Sequence, residues 1–316
     1  MKTITVISGK GGTGKTTVTA SLATLAHNEG RRIVVADTDV DAANLALLFH
    51  PAEVPAVPFI GGELAVVDPD ACTGCGLCVE YCRYGALSMV DGEIFPIVEV
   101  DPLKCEGCAV CTLVCPSQAF SMHDAVSGDC TLSSCEIGPL VFARLGVGGE
   151  NSGRLVTQVR KVAADAARQN EAEMLLIDGP PGTGCPVISA VTGVDLVLLV
   201  TEPTPPGISD LRRVLALAEH FNIPAAVVIN KADLNPALVV SLTAELEVQG
   251  IEVLGTIPYD EAVPKAQREG AVPIDATTGV GKALRHIHNR LQTVLAESTE
   301  VVGGTLPSHH QQEALA

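Results

Sequence analysis

The sequence predicts an α/β protein in which a doubly wound, mostly parallel sheet carries a small inserted α+β domain. Short apolar runs alternate with helical patterns along most of the chain, as in parallel strands joined by crossover helices. Only 3% of the residues are aromatic and none is Trp, so the core must consist of Val, Ile, Leu and Ala, as in buried parallel sheets. A stretch with eight cysteines interrupts this alternation and marks the insert.

The composition and charge exclude several classes of protein. A net charge of -17 argues against binding to nucleic acid, whose phosphates require a basic face. No apolar run reaches the roughly 18 residues of a membrane span, and the first residues predict a strand instead of a signal peptide. We therefore expect a cytoplasmic protein that binds neither nucleic acid nor membranes. Eleven cysteines in such a chain indicate metal or redox chemistry more than disulfides.

A glycine-rich loop with the spacing G-x-x-x-x-G-K-T follows the first apolar run, and a helical pattern from about Thr16 to Asn28 follows the loop. This spacing is typical of a phosphate-binding loop, in which glycines let backbone N–H groups turn towards phosphates. Lys15 would reach the phosphate oxygens, and the Thr16 hydroxyl would bind Mg²⁺. The predicted nucleotide-binding residues are Gly11, Gly12, Thr13, Gly14, Lys15, Thr16 and Thr17. The alternative is a glycine-rich turn that matches by chance.

Lys10 lies inside this loop and makes it similar to the deviant Walker A motif, K-G-G-x-G-K-T. That motif belongs to the MinD, ParA and Mrp superfamily of SIMIBI-class P-loop ATPases, which includes the nitrogenase iron protein. The resemblance implies that Lys10 and Lys15 are catalytic and that Lys10 reaches the phosphates bound by a partner subunit. It therefore implies a dimer, either of identical chains or with a paralogue.

A second predicted strand, residues 32–36, delivers three acids to the sheet edge where ligands bind in doubly wound folds. By similarity to the switch I segment of the family, Asp39 would orient or activate the attacking water. Asp37 and Asp41 would lie nearer the Mg²⁺ ion. The alternative, mainly for Asp41, is a solvated acidic turn.

Another apolar strand, residues 174–178, ends in Asp178 and precedes the segment G-P-P-G-T-G. This resembles the Walker B and switch II segments, so Asp178 would be catalytic and reach Mg²⁺ through water, while the Gly182 N–H would sense the γ-phosphate. Further strands are predicted at 196–201, 225–230 and 252–258, and helices at 209–221, 236–249 and 281–297.

Asn230 begins an N-K-x-D pattern, which reads guanine in GTPases. In the MinD-like family the same Asn faces adenine, so we expect ATP, and GTP remains the alternative. Pro258 begins a segment that resembles the second loop beside the base in that family.

The spacing C-x2-C-x2-C-x3-C occurs twice, 33 residues apart, and the flanking segments A-L-S-M and A-F-S-M repeat with it. The stretch resembles a bacterial two-cluster ferredoxin. In such proteins three thiolates of one loop and a fourth from the other half bind each [4Fe-4S] cluster. The implied ligand sets are Cys72, Cys75, Cys78 and Cys115 for one cluster, and Cys105, Cys108, Cys111 and Cys82 for the other. Two zinc knuckles are the alternative.

Cys185 lies seven residues after Asp178. The nitrogenase iron protein has a cysteine at this spacing that ligates a cluster bridging two subunits, together with a second cysteine per subunit. The region of residues 149–153, where that second cysteine would fall, has none. Cys130 and Cys135 are candidate substitutes, and the alternative is that Cys185 is an ordinary small residue packed in its loop.

These predictions divide the chain into four parts. Residues 1–62 form the first part of the ATPase domain, 63–130 the ferredoxin-like insert, 131–297 the second part of the ATPase domain, and 298–316 a disordered tail. Within the first part, the Pro- and Gly-rich residues 51–62 are predicted to be a linker.

Three classes of function are consistent with the resemblance. The first is an ATP-hydrolysing iron-sulfur protein that couples dimer changes to electron transfer from two [4Fe-4S] clusters to a redox partner. The second is an ATP-dependent scaffold or accessory factor for assembling iron-sulfur or heterometal clusters on an accepting protein. The third is a MinD-like positioning ATPase, which needs a membrane helix or a basic DNA face, and the sequence predicts neither.

Overall fold

A computed structural model describes residues 1–92, 94–146 and 152–303. The strands are β1 (Lys2–Ser8), β2 (Ile33–Asp37), β3 (Val57–Val67), β4 (Leu87–Val90), β5 (Ile97–Val100), β6 (Phe120–Cys135), β7 (Gly138–Leu145), β8 (Met174–Pro181), β9 (Leu196–Thr201), β10 (Ala225–Asn230) and β11 (Glu252–Ile257). The helices are α1 (Lys15–Asn28), α2 (Leu45–Phe49), α3 (Leu77–Tyr81), α4 (Val110–Val114), α5 (Ser152–Gln169), α6 (Cys185–Val191), α7 (Pro205–His220), α8 (Pro236–Val248), α9 (Ala262–Arg268) and α10 (Gly279–Gly303).

Nine strands form one sheet in the order β11-β10-β9-β1-β8-β2-β7-β6-β3, and β4 pairs separately with β5. From β11 to β7 every neighbouring pair is parallel. At the other edge β6 runs antiparallel to β7, and β3 runs antiparallel to β6. The predicted mostly parallel α/β fold is therefore confirmed.

Helices cover both faces of the parallel strands, which explains their continuous apolar sequences. Leu176 and Ile177, adjacent on β8, point to opposite faces and are both fully buried. Leu176 belongs to the core cluster that includes α1 and α10, whereas Ile177 belongs to the cluster that includes α5. Each such side chain contributes about 1.5–3 kcal/mol by leaving water. This burial holds the carboxyl ends of β1, β2 and β8 side by side.

Several predicted boundaries need correction. Residues 51–62 are not a linker throughout, because β3 begins at Val57 and pairs with β6 from there on. The pairing spans two bulges near Ile60 and Gly62, so the Pro- and Gly-rich composition marks an irregular edge strand. The predicted domain limit at residue 62 falls inside β3, and the limit at residue 130 falls inside β6.

The C-terminal prediction is wrong in its first part, because α10 continues through residues 298–303. Residues 304–316, the rest of the predicted tail, lie outside the described residues. None of the helices in the described part of the chain is long and apolar enough to cross a membrane.

The cysteine-rich region has an internal two-fold arrangement with the 33-residue period of the sequence. Val67 pairs with Phe120 in β3 and β6, and Leu87 pairs with Val100 in β4 and β5, so each half contributes a strand to the other. The helices α3 and α4 are offset by the same period. The two halves therefore share one local fold.

Candidate functional site

The glycine-rich loop lies between β1 and α1, at the carboxyl edge of the sheet. Gly12 and Gly14 have φ angles of 79° and 92°, in the left-handed region that favours glycine. Gly14 immediately precedes α1, and its carbonyl accepts the first helical hydrogen bond, from Val18 N–H. The loop thus presents backbone N–H groups at a helix N-terminus, where phosphate binding is favourable.

Lys15, Thr16 and Asp178 meet beneath this loop. The Lys15 ammonium lies 2.8 Å from one Asp178 carboxylate oxygen, and the Thr16 hydroxyl donates to the other at 2.6 Å. Thr19, one turn further along α1, donates to the first oxygen at 3.0 Å. Burial would lower the pKa of Lys15, but the charges of Asp178 and Asp39 outweigh it and raise the pKa. The lysine is therefore charged, as a phosphate ligand must be.

Asp37 and Asp39 lie at the end of β2 beside this cluster. Asp37 is fully buried, and its carboxylate accepts hydrogen bonds from the Leu45 and Asp39 N–H groups. Burial, followed by the charge of Asp178, raises its pKa to about 7. Burial also raises the pKa of Asp39, which lies 3.6 Å from the Lys15 ammonium. The Thr16 hydroxyl and the Asp178 carboxylate meet here, with Asp37 and Asp39 nearby, and such oxygen groups are the ligands that Mg²⁺ prefers.

Lys10 has a partner that the sequence did not predict. Its ammonium lies 3.0 Å from Glu202, which follows β9 and also binds Lys231. Burial would raise the pKa of Glu202, but hydrogen bonds and charge from the two lysines outweigh it and lower the pKa. In this conformation Lys10 is therefore held within its own chain.

Two residues singled out in the sequence, Gly182 and Cys185, lie in the segment after β8. Gly182 has a φ of 95°, and its N–H donates to the Ser8 carbonyl at 2.8 Å. Cys185 is exposed and begins α6. Its two candidate substitutes differ from it: Cys130 is buried in the core with its pKa raised by burial to about 11, and Cys135 donates to the Gly138 carbonyl.

A cavity of about 150 Å³ adjoins the loop and is lined by Gly12, Asn230 and Pro258, among others. The Asn230 amide donates to the Thr13 carbonyl at 2.7 Å, which fixes it against the phosphate loop. Asp233, the acid of the N-K-x-D pattern, accepts from the backbone N–H of Tyr259 at 2.6 Å. The residues predicted to flank the base, Asn230 and Pro258, thus line the same cavity.

Some cysteines of each predicted ligand set lie close to one another. Burial raises the pKa of Cys78, and the charges of Cys115 and Cys72 raise it further, which places these three together. Burial likewise raises the pKa of Cys111, with Cys105 and Cys108 as charged neighbours. Cys82 packs against the same apolar cluster as most of them, whereas Cys75 and Cys108 are exposed.

The two-fold arrangement extends to the backbone of the cysteine loops. Positive φ angles occur at three positions of the first half and recur 33 residues later in the second: Gly74, Gly76 and Gly85, then Gly107, Ala109 and Gln118. The Asp68 N–H donates to the Ala119 carbonyl, and the Asp101 N–H donates to the Ala86 carbonyl, both at 2.7 Å. The two loops therefore have the same backbone conformation.

The two matched loops contain eight cysteine thiols. A [4Fe-4S] cluster binds four thiolates, so the number and kind of donors suit two such clusters. Among the described residues, no three His, Cys, Asp or Glu side chains are close enough to share one metal ion.

Sequence reasoning missed Glu202 and Thr19. Glu202 directly follows a buried strand, just as Asp178 lies near the end of one. Its position at the carboxyl edge of the sheet could therefore have identified it as a candidate site residue. Thr19 lies four residues after Lys15 on the same helical face. Gln267, which donates to the Thr17 hydroxyl at 2.5 Å, has no such signal because it joins the site from a distant helix.

Comparison with known proteins agrees with this geometry. Residues 4–274 match the family of CobQ/CobB/MinD/ParA nucleotide binding domains. The chain is 33% identical to protein MJ0578 of Methanocaldococcus jannaschii, over 92% of this chain and 96% of that one. It is 23% identical to an iron-sulfur cluster carrier protein of the same organism, over 84% and 76% of the two chains.

Among solved structures, the septum site-determining protein MinD of Pyrococcus horikoshii, complexed with Mg-ADP, is similar with a TM-score of 0.59. The identity is 18%, and the match covers 94% of this chain and 98% of that one, so the likeness concerns the fold. The phosphate loop, the acids at the sheet edge and the extent of the family match lead to one conclusion: the chain belongs to the CobQ/CobB/MinD/ParA family of nucleotide-binding proteins.

Proposed function

We propose that the protein binds and hydrolyses ATP and couples nucleotide-dependent dimer changes to electron transfer from two [4Fe-4S] clusters bound by residues 63–130. The observation that carries this proposal is the two-fold repeat of the cysteine loops, in sequence spacing, strand pairing and backbone φ angles alike. A pair of equivalent loops that exchange their fourth cysteine is the arrangement of two-cluster ferredoxins.

The nucleotide half of the proposal rests on the charged cluster at the loop. Lys15 would bind phosphate, while Thr16, Asp178 and Asp37 would hold Mg²⁺ directly or through water. Asp39 is half-buried and next to Lys15, and it would orient a water molecule. When bound, Mg²⁺ would supply positive charge to the phosphates and to the buried acids.

Dimer formation rests on Lys10. Its side chain is 38% exposed, and its bond to Glu202 is the contact that it would exchange for the phosphates of a partner. Glu202 keeps Lys231 as a second cation, so the carboxylate stays paired when Lys10 leaves. The partner would be a second copy of this chain or a paralogue.

Helix α5 supports the coupling of the two halves. Gly153, in the first turn of α5, lies beside Cys185, the first residue of α6. Cys185 follows Gly182 closely in the chain. Arg160 of α5 donates to the Thr192 carbonyl after α6 at 2.7 Å. Arg154 donates to the Gly61 carbonyl in the bulge of β3 at 2.7 Å, so α5 links the switch segment to the strand that enters the insert.

The test is the metal content of anaerobically purified protein. We expect about eight irons per chain, by the two-cluster ligand count. Cys115→Ser should lose about half of them, whereas Cys135→Ser, which changes a cysteine outside the two ligand sets, should keep all. Zinc in place of iron, or equal losses in both variants, would reject the assignment.

A second candidate function is favoured by the similarity to an iron-sulfur cluster carrier protein. In that case the insert would belong to a factor that assembles iron-sulfur or heterometal clusters on an accepting protein. Incubation with an apo-ferredoxin and Mg-ATP separates the two. Iron would move to the acceptor if the second function holds and would stay with residues 63–130 if the first does.

A further inference from the structure

The two cysteine quartets have different positions relative to the nucleotide-binding sheet. We call Cys105, Cys108, Cys111 and Cys82 the inner quartet, and Cys72, Cys75, Cys78 and Cys115 the outer quartet. Gly107 of the inner loop packs so closely on the Glu63 carbonyl of β3 that a Cβ atom would collide with it. Arg154 of α5 binds the same strand two residues earlier, at Gly61. The inner loop therefore packs on an edge strand of the nine-stranded sheet.

The outer quartet adjoins the turn between β4 and β5 instead. Gly74 of the outer loop packs on the Pro96 carbonyl, which is the position equivalent to Glu63 after the 33-residue shift. Pro96 lies in the turn of the separate β4–β5 pair, which is not part of the nine-stranded sheet. The outer loop therefore packs on the separate β4–β5 pair and not on a strand of the nine-stranded sheet.

Exposed apolar side chains surround the outer loop. Ile94 is 90% exposed, and Phe95, Met89 and Leu77 are each about 40% exposed. Phe95 lies next to Gly74 and Met89 next to Gly76, so these side chains border the loop itself. We call these four residues the apolar patch.

The equivalent positions around the inner loop carry no such patch. The 33-residue shift maps Ile94 and Phe95 onto two glycines, Gly61 and Gly62. It maps Leu77 and Met89 onto Val110 and Met122, which are both partly buried. Because the local folds match, the difference is in the side chains and not in the backbone.

The ligand sulfurs also differ. Cys115 of the outer quartet has the Ser117 hydroxyl at 3.5 Å and accepts the Ala119 N–H at 3.3 Å. The residue equivalent to Ser117 is Tyr84, and no hydrogen bond to the Cys82 sulfur occurs within the described residues. Hydrogen bonds to thiolate sulfurs stabilise the more negative, reduced state of a cluster and raise its reduction potential.

We propose that the outer quartet, bordered by the apolar patch, is the point at which the protein exchanges single electrons with a partner, and that Ser117 makes it the more readily reduced of the two. This inference rests on the proposed function. The partner is a one-electron redox protein with an apolar centre and a basic rim, because acidic residues far outnumber Arg83 and Lys104 in residues 63–130.

The exchange transfers one electron. One electron leaves the reduced outer site and enters the oxidised partner, so the site is oxidised by one and the partner reduced by one. No bond is broken and no proton is needed. A low-potential one-electron donor supplies the electron; in the tests below it is dithionite.

The role of Ser117 is tested by an EPR-monitored redox titration of the full chain. In wild-type protein we expect two potentials, and Cys115→Ser should remove the higher one. Ser117→Ala should lower that potential alone, whereas Tyr84→Phe should shift neither. Potentials unchanged by Ser117→Ala, or both lowered equally, would overturn the assignment of Ser117.

The patch is tested with cytochrome c, a basic haem protein, as the acceptor probe. After reduction and removal of dithionite, Ile94→Ser should slow the second-order electron transfer about tenfold, as expected when an interface loses one apolar contact. Leu113→Ser is the matched control, since Leu113 is 83% exposed on α4 and lies outside the apolar patch. Both variants should reduce ferricyanide, a small acceptor, at the wild-type rate.

The outcomes separate the two levels of the proposal. Protein without iron contradicts the proposed function. If the protein holds about eight irons but Leu113→Ser slows the reaction and Ile94→Ser does not, only the assignment of the outer exchange site is contradicted. Equal rates for all three proteins contradict the patch in the same way.

Discussion

Asp37→Asn is expected to stabilise the protein in the absence of Mg²⁺, although it damages the site. The pKa of Asp37 rises from 3.8 to about 7 on folding, because burial and Asp178 disfavour the charged form. The folded state therefore holds the proton more tightly than the unfolded state. The contribution of Asp37 to stability falls as the pH rises from about 3.8 to about 7 and is constant above that, whereas an Asn does not titrate.

The magnitude follows from the same shift. A change of about three pKa units corresponds to roughly 4 kcal/mol at pH 8. Asn keeps an acceptor for only one of the two N–H groups, from Leu45 and Asp39, that the carboxylate accepts, which costs about 1 kcal/mol. The variant should therefore gain roughly 3 kcal/mol at pH 8 and nothing at pH 4.

The assay is anaerobic urea unfolding followed by far-ultraviolet circular dichroism, with EDTA present, at pH 4 and pH 8. Asp41→Asn is the control, because Asp41 is exposed on the same turn and should change stability little at either pH. A variant less stable than wild type at pH 8, or one with the same gain at both pH values, would refute the reasoning. With Mg-ATP the order should reverse, since only the carboxylate can pair with the metal.

Three further predictions concern the residues around the phosphate loop. Lys15→Ala should lose nucleotide binding because the charge beside Asp178 is gone. Lys10→Ala should bind ATP yet neither dimerise nor hydrolyse it. If calorimetry shows an equal loss of binding in both variants, Lys10 has no role in the partner's site. Glu202→Gln should release Lys10 and lower the ATP concentration needed for dimerisation in light scattering, and an unchanged or higher concentration would show that the bond does not restrain it. In an Asp39→Asn background, Cys185 should react with a thiol reagent at different rates under ADP and ATP, and identical rates would place it outside the switch.

The phosphate loop could be predicted because its signals are local. Gly14, Lys15 and Thr16 act through the backbone and helix that directly follow them, so spacing alone predicts their geometry. The role of Glu202 could not be predicted, because its two lysines come from the loop after β1 and the end of β10. Such contacts exist only once the order of the strands is known.

The cysteine-rich region shows the same contrast between what could and could not be predicted. Its repeat is visible in the sequence because both halves use the same short period, and the structure follows it down to the φ angles of Gly74 and Gly107. The segment before the cysteine-rich region was predicted wrongly, because the Pro- and Gly-rich composition of residues 51–62 resembles a linker. Pairing of β3 with β6 outweighs that local preference and makes the segment an edge strand.

The central proposal is that nucleotide state changes the redox behaviour of residues 63–130, and the most direct measurement is their reduction potentials under two nucleotides. EPR-monitored titrations of wild-type protein should give different potentials with Mg-ADP and with a non-hydrolysable Mg-ATP analogue. Lys15→Ala, which keeps the insert but loses the phosphate ligand, should give the same potentials with both. Identical potentials in the wild-type protein under the two nucleotides would contradict the coupling.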